Sequence, residues 1–327
     1  MKLRIGTRKS PLAQAQTRWV VAQLKNKFPD LGVEIVLITT SGDVPSPYPL
    51  PKGRGPTTEA EARCRPSPFR EKVAARPDEG GLKALFTKEI EEALLDNRID
   101  LAVHSLKDMA AELPRGLTLG AVPLREDPRD VWISRHHTPF KDLPKKSKVG
   151  TGAVRRQAQL RHLRPDLNLI SMRGNVDTRL RKLQEEELDG ILLALAGLKR
   201  LGKEKVITEV LPTDIMLPAV GQGALAIEIR EKNERLLPYI SALDHAASHA
   251  AALAERALLK ALGGNCQTPI AAYAQVHGDR ITLEALVVSP TGQPFFRHEA
   301  TDHIQEAETL GRALAKNLLA AGADKIL

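Results

Sequence analysis

Aromatic residues are scarce in this 327-residue chain: two Trp, three Tyr and six Phe make up 3% of it. Stacking platforms for bases are hard to build from so few rings, which counts against a single-strand nucleic-acid binder. Cysteine is scarcer, with only Cys64 and Cys266, so neither a disulfide framework nor a CxxC pair is available and a cytoplasmic setting is expected. The strongest apolar run, Ile191 to Leu198, is too short to span a bilayer. Met1 to Lys9 carries basic residues without the apolar stretch of a secretory signal, so no membrane partner is expected. Metal-ligand spacing, a P-loop and a complete G-x-G-x-x-G are also lacking, and no metal is expected.

What is present is an ordinary globular composition, 42% hydrophobic and 27% charged, long enough for two or three domains. Lys and Arg outnumber Asp and Glu by 48 to 40, a net +8 that favours anionic partners: nucleic acid, anionic membrane or polycarboxylate. The opening predicts a strand over Leu3–Gly6, a helix over Pro11–Phe28 and a strand over Val33–Ile38, a βαβ start. Ser10 before Pro11 is a good helix cap, placing Thr7, Arg8 and Ser10 around a helix N-terminus that attracts anions. Eight of the 22 prolines then fall between Val44 and Glu79, which predicts a long loop holding Cys64.

Further strands and helices alternate from Leu85 to Glu185, and Ile191–Ala196 reads as a buried strand. Leu217 to Arg230 is a Gly-punctuated return toward the first domain. After Arg230 the style changes to a helix (Ser248–Leu262), a hairpin (Ile281–Val288 with Pro294–Ala300) and a helix (Ile304–Ala321), a separate α+β domain. Ligand sites in open α/β sheets lie beyond the carboxyl ends of strands, so His104, Ser105, Lys107 and Asp108, after the strand predicted over Ile99–Val103, are the first chemical candidates. Arg155, Arg156, Arg173 and Arg179 are the densest signal. Guanidinium forks hold carboxylates and phosphates, although a solvated basic face would read the same way. Cys266 lies just past a helix ending in Gly263-Gly264, as either a small half-buried residue or a reactive thiol.

In their order, Arg4-Ile-Gly-Thr-Arg-Lys-Ser-Pro-Leu-Ala13, Asp100-Leu-Ala-Val-His-Ser-Leu-Lys-Asp108, Arg125-Glu-Asp-Pro-Arg-Asp130, Arg173-Gly-Asn-Val176, Ala196-Gly-Leu-Lys-Arg200, Leu217-Pro-Ala-Val-Gly-Gln-Gly223 and Cys266-Gln-Thr-Pro-Ile270 resemble the motifs of the porphobilinogen deaminase family. The resemblance implies an α/β plus α+β fold: two lobes like type-II periplasmic binding proteins with a cleft between them, and a smaller C-terminal domain. The implied division is 1–123 with 224–241 for the first lobe, including an extended loop 44–84, then 124–223 for the second and 242–327 for the third. It further implies a transferase of tetrapyrrole biosynthesis that condenses four porphobilinogen molecules head to tail, releasing ammonia and then hydroxymethylbilane. The growing chain would start from a dipyrromethane cofactor joined covalently to Cys266. By motif, Asp108 would be the catalytic carboxylate. Lys107, Ser105, Arg155, Arg156, Arg173, Thr151 and Ser10 would hold the cofactor; Arg8, Arg179, Arg200, Lys83, Phe86 and Gln222 would hold substrate. A cytoplasmic monomer is expected, acting on a small molecule without nucleic acid.

The chain departs from the family pattern in places. Gly80-Gly-Leu-Lys83-Ala-Leu-Phe86 stands where Gly-Gly-Lys-Gly-Leu-Phe is usual, and the proline-rich stretch upstream is about two dozen residues longer. Gly152-Ala153 replaces common serines, Ala110 a proline and Asn265 a glycine. A catalytically impaired homologue, or a non-catalytic two-lobed anion-binding protein, is the alternative expectation.

Overall fold

The computed structural model describes residues 2–41, 84–264 and 268–327, with the side chains of residues 84–86 excluded. Cys64, Lys83 and Cys266, the extended loop and the Phe86 side chain therefore lie outside the described residues.

Each of the first two sheets forms where β-branched and Leu-rich runs are punctuated by polar turns. The first lobe contains β1 (Lys2–Arg8), α1 (Pro11–Lys27), β2 (Gly32–Ile38), α2 (Ala84–Leu95), β3 (Leu101–Ser105) and β4 (Leu117–Ala121). The chain then crosses to β5 (Asp130–Ser134), β6 (Lys148–Gly150), α3 (Val154–Leu163), β7 (Asn168–Ile170), α4 (Val176–Glu185), β8 (Gly190–Ala194), α5 (Leu195–Arg200) and β9 (Glu209–Val210). It returns as β10 (Leu225–Arg230), which enters the first sheet.

The two sheets share one topology. Their strand orders are β2-β1-β3-β10-β4 and β7-β6-β8-β5-β9. In each, three parallel strands are followed by an antiparallel fourth, β10 against β3 and β5 against β8. That fourth strand is the one delivered by a crossing, so both crossings sit beside the cleft by construction. Separate apolar cores support them: Leu3, Ile5, Val20, Leu101 and Ile227 in the first lobe, Val131, Ile133, Leu188 and Ile191 in the second.

α6 (Leu237–Leu243) and α7 (Ala246–Ala261) lead to an antiparallel sheet of β11 (Ile270–His277), β12 (Arg280–Val288) and β13 (Phe295–His303), followed by α8 (Ala307–Ala320). α7 and α8 cover one face of this sheet through Ala254, Leu258, Leu310 and Leu314. The expected hairpin is present as β12 and β13, with alanine-rich β11 added at its edge. The strand expected through Ala196 stops at Ala194, and Leu195 opens α5.

Candidate active site

Strand ends from both lobes converge on the cleft. On the first-lobe side, β1 ends at Arg8, and the Ser10 hydroxyl caps α1 by accepting from the Ala13 N–H at 3.3 Å. β3 ends at Ser105 and turns through a single 3-10 segment, Leu106–Asp108. Leu106 and Met109 are buried, so this turn is pinned at both sides while Asp108 stays exposed. Arg8, Ser10, Gln16, His104, Ser105 and Asp108 line one depression. Buried Gln16 donates to the Ser105 hydroxyl at 2.8 Å, and His104 Nε2 lies 3.0 Å from the buried Glu228 carboxylate on β10. Neither partner was legible beforehand: 89 and 124 residues separate the pairs.

The second-lobe side is built around one buried carboxylate. Asp130, at the start of β5, has no exposed surface and accepts from Arg155 Nη1 (2.7 Å), Arg155 Nη2 (3.1 Å), Arg156 Nη2 (2.7 Å) and Gln222 Nε2 (2.7 Å). Burial alone would raise its carboxyl, but the two guanidiniums overrule it and hold the group well below the usual range. Arg155 donates again to Leu217 O and Gln222 Oε1, so all four terminal N–H groups of its guanidinium are engaged. Arg156 is less committed. Its Nη1 donates to Leu192 O, and among the described residues its buried Nε has no protein partner.

Lys107 bridges the two sides. Burial pulls its ammonium down to about 8; Arg156 and Arg155 push the same way, while Asp108 and Asp130 oppose them. Half-buried Arg179 is lowered by burial and by Arg156, and is drawn upward by Asp108 across the cleft. Lys107, Arg155, Arg156 and Arg179 thus share one field with Asp108 and Asp130, leaving it positive.

The remaining candidates divide. Arg173 is exposed at the turn before α4, where Asn175 caps the helix and Gly174, at φ +117°, supplies a backbone conformation that L side chains rarely adopt. Arg179 Nε donates to Gly174 O at 2.8 Å. Thr151 is buried with its hydroxyl turned to the Ala153 N–H. Arg200 donates to Gly223 O at 2.6 Å, and burial takes its guanidinium down to about 10 against the pull of Glu126. The Gln222 side chain has all four hydrogen-bonding positions engaged by protein groups, so it offers no free donor or acceptor to a substrate.

Two family models match the chain: the porphobilinogen deaminase dipyrromethane cofactor-binding domain over residues 3–57 and 72–238, and the porphobilinogen deaminase C-terminal domain over residues 249–320. The chain belongs to the porphobilinogen deaminase family. Membership makes it an enzyme, a transferase of tetrapyrrole biosynthesis that polymerises porphobilinogen with a dipyrromethane cofactor. The porphobilinogen deaminase of Syntrophotalea carbinolica is 46% identical over 325 residues, covering 99% of this chain and 95% of the relative. That of Geobacter sulfurreducens is 45% identical over 326 residues, covering 100% and 94%. Among solved structures, the methionine-binding protein MetQ overlaps 74% of this chain and 89% of its own, with a TM-score of 0.43 and 12% identity, too loose to carry an inference. The first family match is interrupted at residues 58–71, inside the proline-rich stretch.

One departure from the porphobilinogen deaminase pattern has a steric reason. A Cβ on Gly152 would stand 2.1 Å from the backbone oxygen of Met172. A serine there cannot be accommodated unless the segment that follows β7 moves. Gly152→Ser is expected to destabilise the chain by about 1–3 kcal/mol, the usual cost of overpacking. Thermal melting checks this, and a melt equal to the parent's would show that the Met172 carbonyl yields freely.

Proposed function

We propose that the cleft between the lobes is where this porphobilinogen deaminase holds its cofactor and growing chain, and that the side chains converging there divide the work. Arg156, Arg173 and Lys107, with Ser10, Ser105 and Thr151 around them, bind cofactor carboxylates. Arg155 belongs to the same wall through Asp130. Arg8, Arg179 and Arg200 take substrate carboxylates, and Lys83 and Phe86 are assigned to substrate with them. Porphobilinogen carries an acetate and a propionate, each suited to a guanidinium fork. The residues fit a polycarboxylate group: the shared field is positive, and a buried Arg156 Nε awaits an acceptor. That donor, unpartnered among the described residues and carried by one of the two guanidiniums anchored on Asp130, is the observation that carries the reading.

When bound, the dipyrromethane supplies the free pyrrole position at which chain growth begins. Asp108 stabilises the positive charge that develops on porphobilinogen as its aminomethyl C–N bond breaks and ammonia leaves. Its exposure on the pinned turn lets it face successive substrates. Cys266 is the proposed attachment point, between the end of α7 and the start of β11.

The proposed domain division is 1–123 with 224–241, 124–223 and 242–327; the pairing of β10 with β3 and β4 supports assigning the return segment to the first lobe. Among the described residues no helix is long and apolar enough to cross a membrane. A cytoplasmic monomer without a nucleic-acid partner is the setting this reading takes, supported by a cysteine count too low for a disulfide framework and by few aromatics.

The test is the intact mass of the purified chain with a peptide map. The expected result is a two-pyrrole adduct on the Cys266 peptide, present at purification or formed on incubation with porphobilinogen. A bare Cys266 thiol after that incubation would overturn the attachment and point to the anion-binding alternative.

A further inference from the structure

Gln222 lies on the return crossing and is fully buried, yet its side chain meets both lobes. Its Nε2 donates to Pro128 O at 2.6 Å and Asp130 Oδ1 at 2.7 Å; its Oε1 accepts from Arg155 Nη2 at 3.0 Å and Lys107 Nζ at 3.4 Å. The amide orientation is dictated by the partners. Turned over, it would set NH2 against a guanidinium and an ammonium, and oxygen against a carbonyl and a carboxylate. The backbone of Gln222 is tied as well, its N–H to Ala219 O and its carbonyl to Arg125 Nε, both at 2.9 Å. One residue therefore links the Lys107 turn of the first lobe, the Asp130–Arg155 pair of the second and both crossings.

We infer that Gln222 is a positioning residue: its amide holds Lys107 against the Asp130–Arg155 pair, so that ligand-holding cations from the two lobes meet a carboxylate chain in fixed register. This rests on the reading that Lys107 holds cofactor carboxylates. A side chain so saturated makes no substrate contact of its own, and its effect passes through Lys107.

The test is a double-substitution cycle of Gln222→Met, Lys107→Met and the pair, reading the rate at which the adduct mass appears when apoprotein meets porphobilinogen. Gln222→Met is expected to slow adduct formation about tenfold, the equivalent of one well-placed hydrogen bond. The pair should be no slower than Lys107→Met alone, within about twofold. Should Gln222→Met not fold, Gln222→Asn, which keeps the amide on a shorter stem, takes its place. A separate readout is the pH profile of the parent and of Gln222→Met. Lys107 is faced by Asp108 on its own turn, Arg155 and Arg156 on α3, Asp130 on β5 and the Gln222 amide. The parent's rate should fall as the ammonium is lost near about pH 8. Gln222→Met takes the accepting oxygen away from the ammonium, which disfavours the charged form and moves that limb downward, a shift that a purely structural amide would not produce.

Rates that multiply in the cycle, or a folded Gln222 variant matching the parent in both rate and pH profile, would overturn the inference while leaving Lys107 as a ligand-holding group. Lys107→Met at the parental rate would remove the reading beneath it, and the inference with it.

Discussion

Asp108→Ala is expected to lower turnover by roughly a thousandfold, the scale of losing one preorganised electrostatic group, while the chain keeps its fold. The turn that presents Asp108 is held by buried Leu106 and Met109, so removing the exposed carboxylate between them takes little from stability. Charge then decides how the kinetics divide. The cleft is positive and its ligands are carboxylates, so deleting Asp108 makes the site more cationic and leaves ground-state binding undiminished. The loss should therefore appear in kcat, with KM unchanged or lower, as for an interaction made only in the transition state. Asp108→Glu, which keeps the charge on a longer stem, should recover part of the rate. Porphobilinogen consumption, measured beside a thermal melt, checks this. A folded Asp108→Ala chain keeping more than about a tenth of parental kcat would remove Asp108 from the role.

The carboxylate and arginine positions were legible because their signals are local. Lys107-Asp108 follows a short apolar run and Arg155-Arg156 opens a helix, so a strand end for the first pair and a helix start for the second could be read directly. Their partners were not legible. Asp130 lies 25 and 26 residues from the arginines it holds, and nothing in its neighbourhood separates a buried hub from a solvated acid. Gln222 shows the same limit: a motif made it a candidate for substrate, whereas the hydrogen bonds of its side chain run to Lys107, Pro128, Asp130 and Arg155. β11 carries a weak sequence signal because Ala271, Ala272 and Ala274 have low strand propensity, and the sheet forms because α7 and β12 bury that face. Glu228 and Glu255 are fully buried acids that composition places on the surface.

Glu255 carries the largest expected effect on stability. It projects from α7 without exposure and accepts four hydrogen bonds: Arg125 Nη1 at 2.6 Å and the Ala274 N–H at 2.8 Å on Oε1, the Gly221 N–H at 2.6 Å and Arg125 Nη2 at 3.3 Å on Oε2. Arg125 stands on the first crossing, Gly221 on the return and Ala274 on β11, so one carboxylate fastens the third domain to both connections between the lobes. Glu255→Ala leaves the Arg125 guanidinium buried without its anion and strips two backbone N–H groups of their acceptor. Breaking a buried pair in this way costs about 3–5 kcal/mol. At roughly 2–4 °C per kcal/mol for a domain of 150–250 residues, the melting midpoint should fall by about 10 °C, with the third domain released first. Glu308→Ala sets the contrast. Its pair with Arg312 is more than half exposed on both sides, and its loss should shift the melt by no more than about a degree or two. Equal, small shifts in the two variants would show that the third domain is held by apolar packing, with the carboxylate incidental. A large drop confined to Glu255→Ala would establish that both crossings between the lobes are clamped from the domain that carries Cys266.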